Sequence, residues 1–273
     1  MKGAEISLRS AGLCNLTEAV IRSEDTKETL KAKLEIATIL GTIQSTFTDF
    51  RYVRKVWKRN AEEERLLGVS LTGIFDNPLT STNNEDLKQL LAELKDHVVA
   101  VNKLWAERLG VNAAAASTCV KPSGTVSQLV GCSSGIHPAH SEYYIRSIRQ
   151  DNKDPVTEFL KAAGVHNEPD LFNPSNTTVF YFPVEVKGTT ITRDTLTPID
   201  HLELWKTYNE FWAEHQVSIT VSVDEDDWLE VGAWVYKNFD HLTGVSFLPM
   251  SKGSYKQAPY QECSKEDYEK AVA

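Results

Sequence analysis

Residues 198–223 read PIDHLELWKTYNEFWAEHQVSITVSV. Pro198 suits the first turn of a helix, and 198–215 reads as one. QVSITVSV (216–223) switches to alternating β-branched residues and reads as a strand. Working outward, DEDDWLEVGAWVYKNF (224–239) is a helix with acidic residues in its first turn, where the macrodipole favours them. GVSFLP (244–249) is a strand, and TTVFYFPVEV (177–186), rich in β-branched and aromatic residues, is another. From 177 onward strands and helices alternate. That pattern predicts an α/β fold with largely parallel strands.

Toward the N-terminus the reading continues. DPVTEFLKAAG (154–164) is a capped helix ending at glycine, and EYYIRSIR (142–149) is a strand or a short helix. Residues 84–110 form a strong helix, with Asn83 or Asn84 as N-cap and Gly110 just past its end. RLLGVSLTGIF (65–75) reads as a buried strand and a bend. Residues 27–47 place Leu30, Leu34, Leu40, Ile43 and Phe47 near helical spacing, with Asp25 or Thr26 as cap. The basic stretch FRYVRKVWKRN (50–60) reads as a solvated helix face. No repeat, low-complexity segment or linker divides the chain, so residues 1–273 are expected to form one unit. KGSYKQAPYQ (252–261) is a turn-rich loop.

The 273 residues carry a formal net charge of −9. An acidic surface suits a long phosphate backbone poorly, which argues against a nucleic-acid polymer but not against a single nucleotide. No two of Cys14, Cys119, Cys132 and Cys263 stand at C-x-x-C spacing, so no zinc site is signalled. The polar start lacks the apolar core of a signal peptide, and no apolar run is long enough to span a membrane. The expectation is a cytoplasmic protein with reduced thiols.

The run KPSGTVSQLVGCSSGIHP (121–138) concentrates chemistry. Ser123, Thr125 and Ser127 offer hydroxyls, and Gly124 lets a backbone approach closely. Successive N–H groups can form an anion nest, with Lys121 as a counter-charge. It is not a P-loop, because the G-K-[ST] ending is missing. The same P-S-G residues also make ordinary type I or II turns. His137 reads as a structural histidine, and Cys119 and Cys132 as small buried hydrophobes.

Four stretches together resemble the large catalytic subunit of ribonucleotide reductase: A-E-I-S-L…G-L-C-N-L-T-E (4–18), E-R-L-L-G-V-S-L-T-G (64–73), K-P-S-G-T-V-S…S-S-G-I-H-P (121–138) and S-Y-K-Q-A-P (254–259). Their wording is most similar to the adenosylcobalamin-dependent class II branch, and within it to the monomeric ribonucleoside-triphosphate reductases. The resemblance implies a ten-stranded α/β barrel like that of glycyl-radical enzymes, with this chain as its C-terminal half. It implies thiyl-radical conversion of ribonucleoside triphosphates, or diphosphates, to deoxyribonucleotides, with adenosylcobalamin as cofactor and a thioredoxin-type reductant. Glu5 matches the general base and Cys14 one member of the reducing pair. Ser123, Gly124, Thr125 and Val126 match the loop that holds the substrate's phosphates. The family writes N-P-C-x-E before the glutamate; this sequence writes Met1-Lys2-Gly3-Ala4-Glu5, with glycine where the radical cysteine belongs. The expectation is therefore a segment inactive alone, completed by an N-terminal half. The alternative is a non-catalytic nucleotide-binding or degenerate fragment.

Overall fold

The computed structural model describes residues 6–187, 191–250 and 256–272. In chain order it contains β1 (Asn15–Val20), α1 (Lys27–Gln44), α2 (Lys55–Glu64), β2 (Leu67–Thr72), α3 (Pro78–Ser81), α4 (Glu85–Leu109), β3 (Thr118–Cys119) and α5 (Val126–Val130). Then follow β4 (Tyr143–Asp151), α6 (Pro155–Ala162), β5 (Asn167–Pro169), β6 (Thr177–Glu185), α7 (Pro198–Phe211), β7 (Ile219–Val223), α8 (Trp228–Lys237), β8 (Val245–Pro249), β9 (Tyr260–Glu262) and α9 (Lys265–Val272).

Local chemistry sets the helix ends. Thr26 closes a capping box on α1, the Asn84 side chain accepts from Leu87 N–H at the start of α4, and Asp154 accepts from Val156 N–H before α6. Gly110 ends α4 in the left-handed region, at φ 67°.

The strands β1, β2 and β3 are parallel, with Asn15 beside Leu67 and Val69 beside Thr118. β7 and β8 are parallel as well, and a parallel bridge between Val120 and Val217 joins the two groups. The result is a run of five parallel strands in the order β1-β2-β3-β7-β8. Parallel neighbours need long crossovers, which α1 and α2, α3 and α4, and α8 supply.

Helices and strands share one apolar core. Leu67, Val69 and Leu71 of β2 are fully buried in it together with Leu30 and Leu34 of α1 and Leu91, Leu94 and Val98 of α4. Val221 and Val223 of β7 meet the same core with Leu202, Trp205 and Tyr208 of α7. Each such side chain contributes about 1.5–3 kcal/mol by leaving water.

One sequence expectation needs correction. Residues 177–185 are a strand, but an antiparallel one. β6 runs against β4 from Tyr143 beside Glu185 to Asp151 beside Thr177, in a second sheet of order β5-β6-β4-β9. Three of its strands, β4, β5 and β6, are inserted between β3 and α7, and β9 joins them from beyond β8, so the parallel alternation resumes only at 198.

Candidate functional site

A strand sends alternate side chains to opposite faces. On β2, Leu67, Val69 and Leu71 enter the helix-covered core, so Gly68, Ser70 and Thr72 point the other way. Register sets Leu16, Glu18 and Val20 of β1 beside them on one flank, and Cys119 and then Lys121 on the other. Thr220 and Ser222 of β7 continue the series past core-facing Ile219, Val221 and Val223. A parallel sheet covered by helices on both faces is apolar on both. On its second face, hereafter the open face, this one carries Glu18, Gly68, Ser70, Thr72, Cys119, Lys121, Thr220 and Ser222 beside apolar Leu16 and Val20, a mostly polar surface suited to a polar ligand.

The run 121–138 lies at the C-terminal ends of the strands. Its two halves fold onto each other and onto the end of β2. Ser134 Oγ donates to Pro122 C=O, Gly135 N–H donates to Thr72 Oγ1 at 2.9 Å, and Gly73 N–H donates to Ser133 C=O at 2.9 Å. Gly135 sits at φ 59°, and a Cβ there would overlap the Lys121 carbonyl oxygen. Arg22, just after β1, donates from its guanidinium to the carbonyls of Val130 and Gly131 and ties the end of α5 to the sheet.

Ser123 holds a left-handed backbone, φ 53°, which is unusual for a residue with a side chain. Its hydroxyl is buried and has no hydrogen-bond partner among the described residues, and the same holds for Ser127 and Ser133. Gly124, Thr125 and Val126 are exposed, and nothing lies within 4 Å of where a Gly124 Cβ would be. Ser127 N–H donates to Ser123 C=O, whereas the N–H groups of 124, 125 and 126 find no acceptor among the described residues. Three consecutive unused donors beside an unpartnered hydroxyl make an anion cradle. Ser123, Gly124, Thr125 and Val126, which the resemblance matches to a phosphate loop, all lie in this turn.

Cys14 precedes β1 at the other end of the open face. A Cβ built on Gly68 would lie 3.3 Å from Cys14 Sγ, so the thiol rests against Gly68. Glu5, the expected general base, and Gly3 lie outside the described residues. Among the described residues no group of three His, Cys, Asp or Glu side chains could hold a metal ion.

The remaining candidates are structural. His137 is half-buried and engaged on both nitrogens: Nδ1–H donates to Ser134 C=O at 2.8 Å, and Nε2 accepts from Thr220 N–H at 2.9 Å. Burial holds its pKa below the ordinary histidine value. Cys132 is half-buried beside Thr72, and desolvation pushes its thiol up to about 11, so it is a poor nucleophile at neutral pH. Sequence reasoning assigned no role to Glu18, which lies on the open face, or to Arg22, which ties down the loop. Their signal was a charge within β1 and another just after it, legible only once the strand is known.

The chain is 32% identical over 271 residues to the adenosylcobalamin-dependent ribonucleoside-triphosphate reductase of Euglena gracilis, covering 98% of this chain and 36% of that protein. It is also 32% identical to a probable enzyme of the same name from Dictyostelium discoideum, over 98% of this chain and 35% of the relative. The crystal structure of a B12-dependent, class II ribonucleotide reductase superposes on 98% of the chain and 41% of that structure, with a TM-score of 0.82 and 25% identity. The chain is homologous to part of the class II ribonucleotide reductases. No family model matches it. It spans little more than a third of the curated reductases it matches. The parallel sheet and the run 121–138 fall within the segment that superposes on that structure.

Proposed function

We propose that this chain is the C-terminal half of the ten-stranded barrel of a class II ribonucleotide reductase and holds the phosphates of a ribonucleoside triphosphate, or diphosphate, at 123–126. The observation that carries the reading is the arrangement of the open face: an anion cradle at the strand C-termini and a thiol at the other end. The N–H groups of 124–126 and the Ser123 hydroxyl would bind and orient the phosphates. Cys14 would give electrons to the ribose by forming a disulfide with a second thiol, which a thioredoxin-type reductant would later reopen. Glu5 would take the ribose 3′-hydroxyl proton, as a carboxylate in that position can.

The relatives are named for adenosylcobalamin, which when bound would supply a carbon-centred radical. The described residues do not fit a corrin. The histidines next to the open face are consumed by backbone contacts, His137 on both nitrogens and His215 Nε2 on Leu67 C=O. Gly3 stands where the resemblance places the radical cysteine, and glycine has no thiol. No step above passes through the cofactor. An N-terminal half must therefore bring both the corrin site and a radical cysteine.

A second reading is favoured by Gly3 alone: the segment binds nucleotide and does no chemistry. Deoxynucleotide formation separates the two. The chain would be combined with the N-terminal half of a class II reductase, adenosylcobalamin and a dithiol, and products analysed by chromatography. Product that vanishes in Cys14→Ser supports the catalytic reading; no product, with triphosphate binding retained, supports the binding reading. Among the described residues no helix is long and apolar enough to cross a membrane. The location proposed is the cytoplasm, where ribonucleotides and thiol reductants coexist.

A further inference from the structure

We infer that Glu18 is the hydrogen-bond acceptor for the 2′-hydroxyl of a ribose held against the open face, with the Lys121 ammonium nearby as its counter-charge. This rests on the nucleotide reading above and adds a contact to it. Glu18 stands on β1 beside Ser70. Its side chain is only 8% exposed, and neither carboxylate oxygen has a hydrogen-bond partner among the described residues. Among the described residues its one ion-pair partner, the Lys121 ammonium, is 3.9 Å away, too far for a hydrogen bond. Lys121 is itself positioned, because its backbone N–H donates to Ser70 Oγ at 2.9 Å.

A buried carboxylate with all its acceptor sites unused is costly unless something brings donors to it. A phosphate cannot, since it carries the same charge. A neutral ribose hydroxyl can: the 2′ O–H donates to Glu18, which leaves the 3′ O–H for the general base expected at Glu5. The position agrees. Glu18 is level with Ser70, two residues from Gly68 where Cys14 rests, or about 7 Å along the strand. On its other side Lys121 leads directly into Pro122 and Ser123. A nucleotide that reaches from the cradle at 123–126 toward Cys14 must pass Glu18, and the part of it at that level is the sugar. Glu18 is thus a ribose-binding residue distinct from the general base expected at Glu5.

The test is calorimetric titration of the full chain with a ribonucleoside triphosphate and with its 2′,3′-dideoxy counterpart. Wild type, Glu18→Gln and Glu18→Ala would be compared, with circular dichroism to confirm folding. A hydrogen bond to a charged group corresponds to a preference of about tenfold or more for the ribonucleotide in the wild type. Both Glu18 variants are expected to abolish that preference while binding the dideoxy nucleotide as the wild type does. A wild type that does not discriminate, or variants that weaken both nucleotides equally, would overturn the inference. Ser123→Ala/Thr125→Ala tested alongside should weaken both nucleotides alike. If it changes neither, the phosphate-loop reading fails separately from the Glu18 contact.

Discussion

Gly68 shows how a single residue couples the fold to the site. It lies where the open face meets Cys14, and a Cβ there would run into the Leu16 and Ile6 side chains as well as approach the thiol. Gly68→Ala should therefore lower stability by about 1–3 kcal/mol through overpacking. It should also change the rate at which Cys14 reacts with a disulfide reagent, since the thiol must move. Denaturant unfolding and labelling kinetics check both. His201 offers a second residue-scale expectation. It is fully enclosed, Nε2–H donates to Ile136 C=O at 2.7 Å, and burial lowers its pKa to about 3. In the unfolded chain it returns to about 6.5. Above pH 6.5 both states are neutral and nothing changes. As pH falls below 6.5 the unfolded state binds a proton that the folded state refuses. Stability should drop by about 1.4 kcal/mol per pH unit from this residue between pH 6 and 4. Urea midpoints across that range should fall more steeply in the wild type than in His201→Gln. The hydroxyls and glycines of the run 121–138 were legible in the sequence because composition is local. Glu18 was not, because its burial depends on two neighbouring strands and on Lys121, about a hundred residues away.

At the scale of elements, helices announced themselves and some strands did not. Thr26, Asn84, Asp154 and Gly110 mark ends that the structure keeps. Asn84→Ala should cost about 1 kcal/mol, because Leu87 N–H loses its acceptor; thermal unfolding measures it. β1 is different. NLTEAV has few of the residues that favour strands, and it is held by pairing with β2 along its whole length. The β-branched run at 177–185 declared a strand but not its direction. Direction came from β4, which precedes it in the chain and pairs antiparallel along all nine residues. Composition carries propensity, whereas pairing partner and sense are tertiary facts.

The whole molecule leaves one side of its parallel sheet unfinished. Asn15 and Ile21 donate toward β2, so the backbone groups of Leu16, Glu18 and Val20 point outward along β1. Lys33 Nζ occupies one of them, donating to Val20 C=O at 2.9 Å. Beside this edge α1 exposes Ile36 at 62% and Leu40 at 57%. A strand edge with an apolar flank favours association, so the isolated chain should sediment as more than a monomer. Charge at that flank, as in Ile36→Lys/Leu40→Glu, should shift it toward monomer. A monomeric wild type at tens of micromolar would count against an N-terminal half covering this edge.

The central claim is that 123–126 cradles the phosphates of a nucleotide. The most direct measurement is calorimetric titration of a ribonucleoside triphosphate into the wild-type chain and into Ser123→Ala/Thr125→Ala. A loss of about tenfold or more in affinity is expected, corresponding to one or two charge-assisted hydrogen bonds. Equal affinity for the two proteins would contradict it.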